Sequence, residues 1–462
     1  MRHPPRGLQD DQTIDYYDVI IDGASATTKR QSTEARLIRN LKAASPMSAE
    51  QSKIGVFAKP EGAMGVCRSF SGLIALVLLA IGAHADSVAD WADRTVEIST
   101  EGPNTIRTMA LAQNAVYEAV NAITSRYPRD RVDLGPARGA SIDAAVAAAS
   151  RTVLLSEAPA LKPQTEAAYD KALHSLPDDQ ARMLGVNLGV RAAEHVLAKH
   201  TDDLGNPEPY RPVTAPGVYV VTTFPLGVAF GQHRPWILKS AAQFRPGPPP
   251  ALSSAVWARD YNEVKTVGAL NSAVRTPEQT DIARFWATSL PDVHIGIVSS
   301  VARASGRDVT RNARLYAAVT AALNDTEIAV FEAKYHFNFW RPITAIRNGD
   351  QDDNAATERD PGWLPLIVTP IQPEYPCAHC MIAATIATII RIEIGKAPLP
   401  TLSTVSNTLP GANRHWSRAE EVVQEVMNAR IWDGVHYRTS GEVGIRMGEQ
   451  VGALVAAAYG LP

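Results

Sequence analysis

Apolar residues recur at helical spacing through most of the chain after residue 86, and this pattern constrains the fold more than any other feature. Between residues 106 and 123 the apolar positions are Met109, Leu111, Ala112, Ala115, Val116, Ala119 and Val120. Such spacing places them on one face of a helix. No region is rich in strand-like alternation, so the sequence predicts an all-α fold of one or two packed helical bundles.

Helical patterns and loop compositions divide the chain into two regions. Further helices are predicted at 144–155, 163–176, 177–199, 253–270, 277–290, 309–339, 377–395, 417–434 and 442–459. Long Pro- and Gly-rich loops are predicted at 201–250 and 348–373. We therefore expect an N-terminal helical region with a Pro-rich connector over 86–250, and a C-terminal helical bundle over 251–462.

A short apolar segment following Met64 is typical of an export signal. Arg68 precedes the apolar run 73–81, and the small residues Ala83 and Ala85 precede Asp86. The run is shorter than the roughly 20 residues that cross a bilayer; a buried core helix is the alternative. We predict a signal peptide at 64–85 and a periplasmic or secreted mature chain without stable membrane insertion. Residues 1–63 are interpreted as a disordered, mis-assigned upstream extension, or else as a cytoplasmic extension.

The bulk composition excludes some classes of function. The chain has 462 residues, with 45% hydrophobic and 20% charged residues, as in ordinary globular proteins. Its net charge of -3 argues against a nucleic-acid partner, which usually requires a basic surface. Of its three cysteines, Cys67 lies in the predicted signal peptide. Cys377 and Cys380 remain, so the sequence is not a disulfide scaffold.

Several cationic residues are spaced so that they can face one site. Lys334 and Arg341 are seven residues apart, close to the about 7.2 residues of two helical turns, although alone they could form a solvated basic face. His379 stands near a predicted helix N-terminus, which attracts anions. Arg430 offers a planar set of donors, and a turn after it can bring His436 back to the same place. Together they favour a tetrahedral oxyanion; carboxylates for magnesium do not cluster here.

Three motifs give the chain a resemblance to a known superfamily. They are KYHFNFWRP from Lys334, YPCAHC around His379 and ARIWDGVHYRTS from Ala429. Together they resemble the signature K-x6-R-P, P-S-G-H and S-R-x5-H-x3-D of the type 2 phosphatidic acid phosphatases and vanadium-dependent haloperoxidases. The segments FWRPITAIRNGD and LAQNAVYEAVNAI are similar to the bacterial haloperoxidase-like branch.

The resemblance implies a role for each motif residue and a haloperoxidase-like helical fold. Lys334, Arg341 and Arg430 would neutralise the oxygens of vanadate, or of phosphate as substrate in the same pocket. Cys377 and Ala378 would belong to the oxyanion-binding turn. His379 would be the catalytic acid–base group. His436 would be the axial vanadium ligand in a haloperoxidase, or the nucleophile that forms a phosphohistidine in a phosphatase.

Four positions depart from the superfamily pattern: Cys377 for Ser, Ala378 for Gly, Ala429 for Ser and Ser440 for Asp. The Asp that Ser440 replaces normally orients the histidine, as outer-shell partners do in metal sites. Glu442 is a candidate substitute for it. A thiol among cations at a helix N-terminus should have a lowered pKa, and Cys377 could form a disulfide with Cys380. We therefore predict that the site is sensitive to redox conditions, simple packing of Cys377 being the alternative.

Three functions follow from these observations. The leading one is a vanadium-dependent haloperoxidase that uses hydrogen peroxide, a halide and an organic substrate. An acid phosphatase and a non-catalytic oxyanion-binding protein are the alternatives. Phe331, His336 and Gln372 are candidates for influencing the choice of halide, and a homo-oligomer is expected from the resemblance.

Overall fold

A computed structural model describes the chain over 86–99, 104–128, 134–135, 137–201, 210–221, 223–288 and 291–462. These residues belong to one compact unit, Ile81–Pro462. The predicted extension at 1–63 and the predicted signal peptide at 64–85 lie outside the described residues.

Helices dominate the described part of the chain, which confirms the predicted all-α class. The thirteen α-helices are α1 Ser87–Ser99, α2 Thr105–Thr124, α3 Ile142–Glu157, α4 Lys162–His174, α5 Gln180–Lys199, α6 Ala255–Val267, α7 Pro277–Phe285, α8 Pro291–Ala302, α9 Val309–Phe337, α10 Pro342–Arg347, α11 Ala378–Ile394, α12 Ala419–Trp432 and α13 Arg438–Ala458. A small antiparallel hairpin joins β1, Leu402–Val405, to β2, Asn413–Trp416. None of the described helices is long and apolar enough to cross a membrane.

Local sequence signals explain most of the helix boundaries. Proline stands in the first turn of α4, and the Asp179 side chain caps α5 by accepting the N–H of Arg182. A helix cap was predicted with Ser417 and Glu420, but in the structure Arg418 and Glu421, one position later, form it. Glu421 accepts the backbone N–H groups of Ser417 and Arg418, and α12 starts at residue 419.

Some elements differ from the sequence prediction. Helices α1, α8 and α10 and the β1–β2 hairpin were not predicted, and α13 begins at Arg438 rather than near Glu442. Four-residue strands show too little alternation to stand out from a loop. The predicted loops are confirmed in the described parts of 201–250 and 348–373, which contain no α-helix. The region boundary at residue 250 stays a prediction.

Close packing of α13 on α11 positions one end of the candidate site. A Cβ atom at Gly448 would lie 2.2 Å from the carbonyl oxygen of Met381, and one at Gly444 would lie 2.5 Å from that of Cys377. Only glycine permits such an approach. The N-terminal ends of α11 and α13 therefore meet, next to the C-terminal turn of α9.

Candidate oxyanion site

The predicted site residues come together in the interior of the protein. Lys334 lies in the last turn of α9, Arg341 directly before α10, and Arg430 in the last turn of α12. Lys334, Arg341, Arg430 and His436 are at most 2% exposed, and His379 is partly buried. We call these five residues the oxyanion cluster.

Backbone carbonyls of the loop before α11 hold two of the cations. Lys334 donates from Nζ to the carbonyl oxygens of Pro373 and Glu374, at 2.8 and 2.9 Å. Arg341 donates from Nε to that of Gln372, at 2.8 Å. Burial and the Arg341 charge lower the pKa of Lys334 well below its usual value. One loop thus positions both cations, whose spacing the sequence analysis had singled out.

A glycine turn brings His436 back to Arg430, as predicted. Gly434 has a φ of +83°, and the His436 N–H donates to the carbonyl oxygen of Arg430 at 3.1 Å. Arg430 itself donates from Nη1 to the carbonyl oxygen of Trp286 at 3.0 Å and lies 2.8 Å from Asp433 Oδ2. Burial raises the pKa of Asp433 to about 6, against the lowering effect of Arg430.

The protonation state of His436 follows from its two partners. Its Nδ1 lies 2.7 Å from Glu374 Oε1, and its Nε2 lies 3.2 Å from Arg341 Nη1. A guanidinium can only donate, so Nε2 carries the lone pair and Nδ1 carries the proton. Burial, followed by the charges of Arg341 and Lys334, lowers the pKa of His436 well below its usual value. His436 is therefore neutral, with Nε2 available as a ligand or nucleophile.

Glu374 supplies the carboxylate that the superfamily motif lacks in this chain. Its Oε1 also accepts the N–H of Tyr437 at 3.0 Å. Burial raises the pKa of Glu374 to about 7, while Arg341 and Lys334 act to lower it. Glu442, the substitute suggested by the sequence, instead acts electrostatically on Arg259 and Arg438. Glu374 was not predicted as a site residue, although its place directly before the YPCAHC motif is a signal that could identify it.

His379 lies in the first turn of α11, as predicted. Its Nε2 is 3.0 Å from the carbonyl oxygen of Thr288, which can only accept, so Nε2 carries a proton. Burial, followed by the charge of Arg430, lowers the pKa of His379 well below its usual value. This neutral ring presents Nδ1 as a proton acceptor.

Cys377 caps α11, and Ala378 is its buried first residue. The Cys377 Sγ atom accepts the N–H of Cys380 at 3.3 Å, and both thiols are buried and free. Burial acts to raise the pKa of Cys377, but its contact with Cys380 and the charge of Arg430 bring it below the usual value. Burial raises the pKa of Cys380 well above its usual value. The predicted redox sensitivity stays a prediction.

The three residues suggested for halide choice lie in different surroundings. Gln372 reaches the cluster through its carbonyl oxygen. Phe331 packs edge-on against Phe230, with ring centroids 5.0 Å apart, and His336 is exposed beside Phe337.

The donors left free in the cluster fit a tetrahedral oxyanion. Within the described part of the chain, Arg341 Nη2 and Arg430 Nε are buried without a hydrogen-bond partner. Buried N–H groups are costly when unpaired, and guanidinium donors match oxyanion oxygens. Three cations also outnumber the two carboxylates, Glu374 and Asp433. The chemistry of this donor set suits vanadate or phosphate.

Comparison with known proteins finds similarity to vanadium haloperoxidases. Residues 314–460, which contain the residues of the oxyanion cluster, match the family described as the VCPO second helical-bundle domain. Over this region the chain is similar to that family. Vanadium chloroperoxidase from Curvularia inaequalis is 26% identical over 195 residues, which are 35% of this chain and 31% of that protein. The match thus spans about a third of the length of this curated relative.

Solved structures show the same fold. A bacterial vanadium-dependent iodoperoxidase superposes with a TM-score of 0.68 at 21% identity, covering 80% of this chain and 96% of that one. A holo-type bacterial vanadium-dependent chloroperoxidase gives a TM-score of 0.62 at 18% identity, with the same coverage.

Proposed function

We propose that the oxyanion cluster binds vanadate and that the protein oxidises a halide with hydrogen peroxide. The observation that carries this proposal is the neutral His436, whose Nδ1–H is held by Glu374 and whose Nε2 lone pair faces Arg341. A histidine ligand requires such an unprotonated nitrogen, with the ring fixed by a partner on the other nitrogen. The names of the relatives agree with the proposal.

The cations of the cluster would hold the anion. Arg341 and Arg430 each have an N–H group without a partner among the described residues, and these would donate to its oxygens. Lys334, fixed by two backbone carbonyls, would add positive charge without moving. Vanadate, when bound, activates peroxide towards halide without a change in the metal's oxidation state. Burial of the cluster strengthens each of these electrostatic contacts.

His379 would move the proton that this chemistry requires. Its Nε2–H is engaged with the carbonyl oxygen of Thr288, so Nδ1 is the atom that accepts a proton from peroxide. Its lowered pKa keeps the ring neutral, so Nδ1 carries no proton before the reaction.

A phosphatase remains the second candidate because of one observation. A phosphohistidine mechanism needs a nucleophilic Nε2 supported by a carboxylate, and Glu374 provides that support although Ser440 replaces the superfamily Asp. The loss of that Asp was the main reason for regarding the pocket as non-catalytic, and the contact between Glu374 and His436 answers it.

A paired assay on the purified chain tests the proposal. One arm measures vanadate-dependent halide oxidation with peroxide, and the other measures phosphomonoester hydrolysis without vanadate, both under thiol reduction. We expect halide oxidation that is lost in His436→Ala and retained in His415→Ala, an exposed histidine on β2 serving as matched control. Hydrolysis alone, inhibited by vanadate, would overturn the haloperoxidase proposal in favour of a phosphatase. Vanadate binding without either activity would overturn both.

We also propose that the mature chain is exported to the periplasm or secreted. The proposal rests on the apolar segment after Met64 and the small residues before Asp86. N-terminal sequencing of protein recovered from the periplasm or medium should begin at Asp86, whereas recovery only from the cytoplasm with an uncleaved segment would refute it.

A further inference from the structure

A cavity lies between the Pro-rich connector and α13, apart from the oxyanion cluster. It has a volume of about 770 Å³, within the range of small-molecule sites. One wall is the segment 243–251, and the other is formed by Thr439, Val443 and Met447 of α13. The residues of the oxyanion cluster are absent from its lining. A ligand of this cavity would therefore be bound separately from the anion.

One exposed arginine of this cavity has no partner among the described residues. Arg446 makes no hydrogen bond or ion pair with any residue that the structure describes, although Glu442 and Glu449 are its helical neighbours four residues before and three after. Arg245, which also lines the cavity, is paired with Glu332. The cavity thus combines walls of mixed apolar and polar character with one unpaired positive charge.

We propose that this cavity binds an amphipathic organic anion, a carboxylate with an aromatic or alkyl body. Phe244, Val443 and Met447 would contact the apolar body, and Arg446 would pair with the carboxylate. An apolar lining with a few placed polar groups is typical of small-molecule sites.

The position of the cavity links it physically to the oxyanion cluster without overlapping it. Tyr375 lines the cavity, donates its hydroxyl to the carbonyl oxygen of Gly247 at 2.8 Å, and directly follows Glu374. Thr439 also lines it, three residues after His436. The ligand would contact residues next to the Glu374–His436 pair while leaving the oxyanion donors free.

The structure offers two variants that separate charge from shape. Arg446→Gln removes the positive charge. Gly247→Phe fills the cavity: a Cβ atom there meets nothing within 4 Å, and its φ is not in the left-handed region. Arg391→Gln is the matched control for the first change, because Arg391 is exposed and lies outside the cavity lining.

Isothermal titration of the full chain with naphthoate, and with neutral naphthamide as a second probe, tests the proposal. We expect Arg446→Gln to weaken naphthoate binding about tenfold, as loss of a charge-assisted contact does, with naphthamide unchanged. Gly247→Phe should abolish binding of both probes, and Arg391→Gln should change neither. Saturating phosphate should leave naphthoate binding intact.

Three results would overturn the proposal. The first is the absence of saturable naphthoate binding to the wild-type chain. The second is binding that persists in Gly247→Phe, which would place the probe elsewhere. The third is displacement of naphthoate by phosphate, which would place it in the oxyanion cluster. The proposal does not depend on halide oxidation, so its test is independent of the paired activity assay.

Discussion

The carboxylate of Glu374 should determine how tightly the oxyanion cluster holds vanadate. It accepts the Nδ1–H of His436 at 2.7 Å and is fully buried. Glu374→Gln keeps the volume and removes the negative charge. Hydrogen bonds to charged groups contribute about 1.5–3 kcal/mol, and lost outer-shell partners typically weaken metal binding about 10- to 100-fold. Since tenfold corresponds to about 1.4 kcal/mol, the two ranges agree. We expect vanadate affinity to fall by that factor.

Equilibrium dialysis of the full chain against vanadate measures this affinity directly. Glu442→Gln is the matched control. It is the same substitution, but Glu442 lies on α13 and acts on Arg259 and Arg438, not on His436. We expect the control to bind vanadate like the wild type. Wild-type affinity in Glu374→Gln, with an unchanged melting temperature, would refute the role given to Glu374.

Three further changes test other parts of the structure. Burial raises the pKa of Glu327 from 4.5 to about 8; the folded chain then keeps a proton that the unfolded chain loses, and stability falls as pH rises through this window. Glu327→Gln should therefore raise the melting temperature more at about pH 8 than at about pH 5, and equal shifts would contradict this. Gly448→Ala places a Cβ 2.2 Å from the carbonyl oxygen of Met381. It should lower the free energy of unfolding, measured with urea, by about 1–3 kcal/mol. An unchanged free energy would show that α11 and α13 separate easily. Mild peroxide treatment should form a disulfide between Cys377 and Cys380 and lower vanadate affinity until a thiol reductant is added. The vanadate affinity of Cys377→Ser should not change on this treatment. A wild-type affinity that also does not change would contradict the predicted redox sensitivity.

The sequence predicted the fold well where strong periodicity or loop-forming residues determine local structure. Helices such as α2 and α5 carry long apolar stripes, and the Pro- and Gly-rich segments form loops. The β1–β2 hairpin was missed because its strands have only four residues each and pair through tertiary contacts. Short elements of this kind depend on neighbours that a local pattern does not reveal.

The cations of the site could be predicted from motif spacing, but the partner of His436 could not. Glu374 lies 62 residues before His436, so their contact is a property of the folded chain. Locally, Ser440 suggests that the carboxylate is lost. The structure shows that a carboxylate from the loop before α11 takes the position next to Nδ1.

Vanadium X-ray absorption of the vanadate-loaded chain tests the central claim most directly. If His436 Nε2 binds the metal, the spectrum will contain one nitrogen neighbour at bonding distance. That neighbour should disappear in His436→Ala and remain in the exposed control His415→Ala. A shell of oxygens alone in the wild type, or a nitrogen that persists in His436→Ala, would contradict the claim.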